Sequence, residues 1–135
     1  MKKENNITTD AYFWKHHFIF GNFVFLQRLF ISGTLKLMRI ISRNRLIEFY
    51  QKNAEAEVAL EDWYKKTKKA SWECFSDMKR TFNSADNVDN QRYVFNIHGN
   101  KYRLVALILF QIKTVYVRYI GSHSDYDKLS DIKSI

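Results

Sequence analysis

The chain has no proline, only four glycines and a single cysteine in 135 residues. So few turn-formers leave little scope for rigid turns or flexible linkers, and the length suits one domain around one hydrophobic core. A lone thiol, Cys74, excludes an internal disulfide and any zinc site built from thiolates, and it fits a reducing compartment. The four histidines, His16, His17, His98 and His123, show no His-Glu-x-x-His spacing, so neither a metal nor a cofactor is expected. Long apolar runs are missing too. The most apolar stretch, Phe18–Ile31, is interrupted by Asn22, Gln27 and Arg28. It falls short of the roughly 20 residues a membrane span needs. Lys2 and Lys3 imitate the basic start of a signal peptide, but the apolar run begins late and no cleavage-site pattern follows it.

Negative charge is scarce as well: 14 acidic residues stand against 22 basic ones, for a net charge of +8. Such a balance favours polyanionic partners and does not choose among RNA, DNA, an acidic protein and an anionic membrane surface. With 46% hydrophobic and 27% charged residues the chain is expected to fold.

The chain divides near Met38. Residues 1–37 hold six of the eleven phenylalanines. They read as an extension, either an aromatic interfacial segment or sequence upstream of a translation start at Met38. Residues 38–135 read as a complete domain. Met38–Ile41 is a short apolar run suited to a strand. Ser42 is a candidate cap for a helix over 44–52, and Asn53 a candidate cap for a longer one. In the longer helix Ala56, Leu60 and Trp63 form an apolar stripe, with Glu61–Lys65 and Asp62–Lys66 at ion-pair spacing and lysines crowding its end. A short helix over 72–80 and a polar loop over 83–91 follow.

The remainder reads as sheet. Along 92–98, Tyr93, Phe95 and Ile97 alternate with Arg92, Val94, Asn96 and His98. His98–Gly99–Asn100 suits a hairpin turn, because Gly and Asn accept positive φ. The strand over 101–110 is apolar on both faces beyond Leu104, as a central strand is. Over 114–120, Val115, Val117 and Tyr119 alternate with Tyr116 and Arg118, and Gly121 closes the strand. The order is strand, helices, then three antiparallel strands. That predicts an α+β fold with the two N-terminal helices on one face of the sheet and the other face open. Strand parity places Arg92, Asn96, Arg103 and Arg118 on the open face, with Lys101 sharing the face of Arg103. These cations form a candidate cradle for a phosphate backbone.

RNA carries its own nucleophile in the ribose 2′-hydroxyl. Cleaving it needs a proton acceptor, a proton donor and cations on the phosphate. His123 and Tyr126 lie together in Gly121–Asp127, directly after Arg118. Histidine titrates near neutrality, and tyrosine donates a proton or stacks on a base. A lone histidine in a loop is more often a surface residue, so spacing by itself leaves a non-catalytic RNA- or DNA-binding module open.

Four segments carry a resemblance: Met-Arg-Ile-Ile-Ser-Arg at 38–43, Ala-Leu-Glu-Asp-Trp-Tyr-Lys at 59–65, Val-Phe-Asn-Ile-His-Gly-Asn-Lys-Tyr-Arg-Leu-Val at 94–105 and Val-Arg-Tyr-Ile-Gly-Ser-His-Ser-Asp-Tyr-Asp-Lys at 117–128. Together they resemble the HigB family of toxins from type II toxin–antitoxin modules, within the RelE-like superfamily. His98 departs from the family pattern, where a small residue is usual, as does Ser122, where Thr is usual. The resemblance implies a cytoplasmic, metal-independent endoribonuclease that cuts mRNA on the ribosome and uses no membrane. It also implies neutralisation by a HigA-like antitoxin and promoter DNA binding by the toxin–antitoxin complex. It assigns catalysis to His123, Tyr126 and Arg118 and RNA contacts to Lys101, Arg103, Arg92 and Asn96.

Overall fold

The computed structural model describes residues 36–135, and the expectations for residues 1–35 lie outside them. The elements are β1 (Arg39–Ile41), α1 (Arg43–Lys52), a 3-10 turn (Ala54–Ala56), α2 (Glu57–Lys69), α3 (Phe75–Thr81), β2 (Asp86–Asn87), β3 (Arg92–Ile97), β4 (Tyr102–Leu109), a 3-10 turn (Phe110–Ile112), β5 (Thr114–Ser122), α4 (His123–Tyr126) and a last 3-10 turn (Ile132–Ser134).

The strands form one sheet in the order β1-β5-β4-β3-β2. β3, β4 and β5 are antiparallel neighbours, as the alternation implied. β4 is central, which explains why it is apolar on both faces. β1 joins at the edge, parallel to β5, through Thr114–Tyr116. β2 is a two-residue strand inside the segment read as loop, and it pairs with Val94 and Tyr93.

One face of the sheet carries the main core. Leu46 of α1, Leu60 and Trp63 of α2 and Met78 of α3 are almost wholly buried against Phe95, Leu104, Ile108, Val115 and Val117. The stripe of Ala56, Leu60 and Trp63 is therefore the buried side of the helical layer, as its spacing predicted. Fully burying one such large apolar side chain contributes about 1.5–3 kcal/mol.

The second face is not open. Val94 and Val105 lie on it and are buried, with Val105 at 0% exposure. α4 packs on β4 and β5, and the chain beyond it reaches β3, where Arg92 Nε and Nη2 donate to the Ile135 main-chain oxygen at 2.9 and 2.6 Å. The expectation of an uncovered cationic face fails for a plain reason: Val94, Val105 and Leu107 make that face too apolar to leave in water.

Local capping also differs from expectation. Ser42 enters α1 in the left-handed region (φ 77°) and makes no side-chain cap bond. Asn53 ends α1 instead of starting α2, its Nδ2 donating to the Phe49 carbonyl at 3.1 Å. Glu61 does not pair with Lys65. It accepts a bidentate pair of bonds from Arg43 Nη2 at 2.7 and 3.1 Å and a bond from Tyr50 Oη at 2.7 Å, which ties α1 to α2. Asp62–Lys66 forms as predicted, at 2.9 Å. In the β3–β4 turn the left-handed residues are His98 (φ 55°) and Gly99 (φ 66°), with Asn100 outside that region. Histidine is among the few side chains that tolerate it.

Candidate active site

β5 does not alternate evenly. Ala106 faces Val117, but Val105 faces Tyr119, so Arg118 is an extra residue opposite nothing. This bulge resets the parity of the strand. Tyr119, expected beside Val115 and Val117, moves to the second face with Val105, and Ile120 turns to the main core opposite Leu104. Arg118 stands exposed at the bulge, and its guanidinium makes no ion pair among the described residues. Its carbonyl accepts a bond from Arg45 Nη1 at 3.1 Å.

The strand continues through Gly121 to Ser122. Gly121 is required by a close approach: a Cβ there would stand 2.1 Å from the Tyr119 phenolic oxygen and 2.6 Å from Cζ. Tyr119 thus lies across the glycine at the base of α4. Its phenol is pushed up, first by burial and then by the charge of Asp125.

Ser122 caps α4, its Oγ accepting the Asp125 N–H at 3.0 Å. The His123 N–H donates to the Lys101 carbonyl at 2.9 Å, so the hairpin turn fixes where α4 begins. His123 Nδ1 faces Asp127 Oδ2 at 3.4 Å. Nδ1 is shielded from solvent and has no aligned hydrogen-bond partner. At that distance the contact is longer than a well-formed hydrogen bond. The side chain as a whole is 43% exposed, and Nε2 has no partner among the described residues.

Tyr126 is half-buried beneath the same turn. Burial pushes its phenol up, Arg103 opposes the shift, and Asp127 and Asp86 reinforce it. A phenol so placed stays protonated at neutral pH, which suits donation or stacking and not base catalysis. Arg103 folds back onto the turn, Nη2 donating to Asn100 Oδ1 at 2.8 Å. Arg103 lies opposite Gly121 on one side and opposite Asn96, which is exposed, on the other. His123, Tyr126, Arg103 and Asn96 therefore gather at one end of the sheet, with Arg118 a short way up β5.

Two expected residues are placed otherwise. Lys101 does not share the face of Arg103. It precedes β4, in the turn, where strand parity has no force, and its Nζ pairs with Glu55. Tyr102 Oη donates to the same carboxylate at 2.5 Å. Lys101 and Tyr102 together hold the Glu55 carboxyl below its ordinary range. Arg92 lies on the second face as expected but at its far end, opposite Leu107, with its guanidinium bonded to Asn90 and Ile135. Arg45 was missed by sequence reasoning. An arginine on an exposed helix face carries no signal until the fold sets it against β5. Among the described residues no three His, Cys, Asp or Glu side chains gather as a metal site requires, and no helix is long and apolar enough to cross a membrane.

Comparison with known proteins gives the family. The profile of a family described as HigB toxin, RelE-like toxic component of a toxin–antitoxin system, matches residues 56–129. The chain is similar to the mRNA interferase HigB of Escherichia coli O6:H1, with 33% identity over 95 residues, covering 69% of this chain and 92% of that relative. It is also similar to the mRNA interferase toxin HigB of Escherichia coli strain K12, at 38% identity over 52 residues, 37% of this chain and 50% of the relative. A match of that extent, with the turn after β5 inside it, settles the relationship: the chain belongs to the HigB toxin family.

Proposed function

We propose that this toxin is an mRNA interferase that cleaves mRNA on the ribosome, in the cytoplasm, and is held inactive by an antitoxin of the HigA kind. The observation that carries the reading is the capped turn after β5. It sets His123 and Tyr126 beside Arg103 in a chain similar over 69% of its length to a protein named mRNA interferase. The complex with the antitoxin binds promoter DNA, consistent with the net charge of +8.

In the proposed reaction the 2′-oxygen attacks the adjacent phosphorus while the bond from phosphorus to the 5′-oxygen breaks, leaving a cyclic phosphate and a 5′-hydroxyl. His123 Nε2 accepts the 2′ proton, and Asp127 beside Nδ1 steadies the imidazolium that results. Tyr126, kept protonated by burial, donates to the leaving oxygen; where it stacks on the neighbouring base instead, a solvent water supplies that proton. Arg103 and Arg118 offset charge on the phosphate, and Asn96 lies within the same end of the sheet. The substrate supplies the nucleophile, so no metal-bound hydroxide is called for. Of the remaining expected contacts, Lys101 would have to leave Glu55, and Arg92 would have to leave Ile135, to reach RNA.

The test is His123→Gln. Cleavage of ribosome-bound mRNA is expected to fall by about 100-fold or more, with RNA affinity and thermal stability near wild type. Cleavage that persists while stability drops would assign His123 to folding. Binding without cleavage by the wild-type chain would favour a non-catalytic RNA-binding module.

A further inference from the structure

Among the described residues β5 loses its edge neighbour halfway along. Pairing with β1 covers only Thr114–Tyr116, and α1 lies beside the rest, with Arg45 bonded to the Arg118 carbonyl. Between α1 and β5 is a cleft of about 230 Å³, lined by Arg45, Glu48, Phe49, Lys52 and Ile120. Its floor is apolar: Phe49 and Ile120 are partly buried against the core, and Phe49 is held edge-to-face with Tyr102 at 5.3 Å. Its rim is charged and exposed. Arg45, Glu48 and Lys52 form no ion pairs among the described residues, although Glu48 and Lys52 stand at i,i+4 spacing on one helix. Two cations, Arg45 and Lys52, therefore flank one carboxylate, Glu48, on the rim.

We propose that this cleft is a nucleotide subsite that takes one unpaired base of the RNA next to the cleavage point. The inference rests on reading the turn after β5 as an RNA-cleaving site. The base lies against Phe49 and Ile120, and the adjoining phosphate is held between Arg45 and Lys52. Single-stranded RNA is recognised in this way, by apolar or aromatic surface for the base and cations for the backbone. The size fits. The cleft is smaller than the roughly 300–1,000 Å³ of pockets that enclose a drug-sized molecule, and it suits a single base. The position fits as well. The cleft flanks the part of β5 that leads through Gly121 and Ser122 to His123; it opens on the helix side of the sheet, so an RNA strand that fills both the cleft and the turn after β5 crosses the outer edge of β5. Glu48 gives the subsite a preference. A carboxylate accepts a hydrogen bond from an exocyclic amine and repels a carbonyl oxygen, so cytosine is favoured over uracil, which has the same ring size.

The probes are 2′-O-methyl decamers of cytidine and of uridine, whose blocked 2′-oxygen prevents cleavage, binding to the full chain. Wild type is expected to bind the cytidine decamer about fivefold or more tightly than the uridine one. Glu48→Ala should abolish that difference. Lys52→Ala should weaken both decamers alike and lower the salt slope by about 0.7. Both side chains are exposed, so neither variant challenges the fold. The proposal is overturned if Lys52→Ala keeps wild-type affinity and slope while Arg103→Ala loses them, or if Glu48→Ala leaves the cytidine preference intact. A Lys52→Ala variant that loses only a penta-glutamate peptide, with RNA binding unchanged, would assign the cleft to an acidic protein and overturn it as well. If the cleavage reading alone is wrong, ribosome-bound mRNA stays whole while the decamer differences persist.

Discussion

Val105→Ala tests whether the second face of the sheet is truly covered. Val105 sits on central β4, opposite Val94 and Tyr119, on the face away from α1 and α2, and is 0% exposed. The substitution removes two carbons. At about 0.8 kcal/mol per buried CH₂ the lost transfer free energy is about 1.6 kcal/mol. Incomplete collapse of the space left behind raises the cost to about 2–3 kcal/mol. In a domain of this size that lowers Tm by about 10 °C. Val58→Ala is the control: Val58 is 81% exposed on α2, and its truncation should stay within about 0.5 kcal/mol. Urea unfolding read by tryptophan fluorescence measures both. A Val105→Ala midpoint indistinguishable from that of Val58→Ala would refute the covered face, and with it the account of how α4 is held. The same variant should also lose cleavage, because the layer over Val105 includes the helix that carries His123 and Tyr126.

Other expectations follow from individual contacts. The Glu55 carboxyl is depressed by Lys101 and Tyr102, so its contribution is present above the ordinary carboxylate value of 4.5 and is lost as pH falls through the lower folded value. Glu55→Gln should therefore flatten the stability–pH curve below about pH 4.5, measured by urea midpoints from pH 7 to pH 3; an unaltered curve would remove Glu55 from the acid response. Tyr126→Phe separates two roles: cleavage retained in Phe but lost in Tyr126→Ala marks stacking, while equal loss in both marks proton donation. A fragment of residues 38–135 should unfold cooperatively and keep its toxicity when induced in cells. A gradual, non-cooperative melt would show that residues 1–37 complete the fold.

What could be read from the sequence was set by periodicity. The stripe of Ala56, Leu60 and Trp63, the alternation along 92–97 and the doubly apolar β4 each reflect side-chain spacing that burial enforces along a regular element. What could not be read breaks that spacing or depends on distant chain. The bulge at Arg118 adds one residue without any glycine or proline to announce it, so alternation places Tyr119 on one face and the fold places it on the other. The parallel pairing of β1 with β5 joins segments more than seventy residues apart. Alternation carried back to Lys101 puts it on the face of Arg103, but the strand begins at Tyr102 and Lys101 lies in the turn, paired with Glu55. The proposed site stands in the sequence as a motif, Gly121–Asp127, whereas the 3.4 Å approach of Asp127 to His123 Nδ1 and the burial that keeps Tyr126 protonated are products of packing.

The half-paired edge of β5 also bears on how the protein behaves when it is damaged. Among the described residues the outer backbone groups from Val117 to Ser122 have no strand partner, and α1, pinned by Arg45 to the Arg118 carbonyl, stands in for one. An exposed edge of this kind templates pairing with another chain, and proteins normally blunt it with proline, short length or inward charge. This chain has no proline at all. Its guard is a ten-residue helix held to the sheet by Leu46, Phe49 and one guanidinium, and to α2 by the Arg43–Glu61 link. Detachment of α1 would turn the strand that leads into His123 into an adhesive edge, so the first step of unfolding and the first step of aggregation would be the same event.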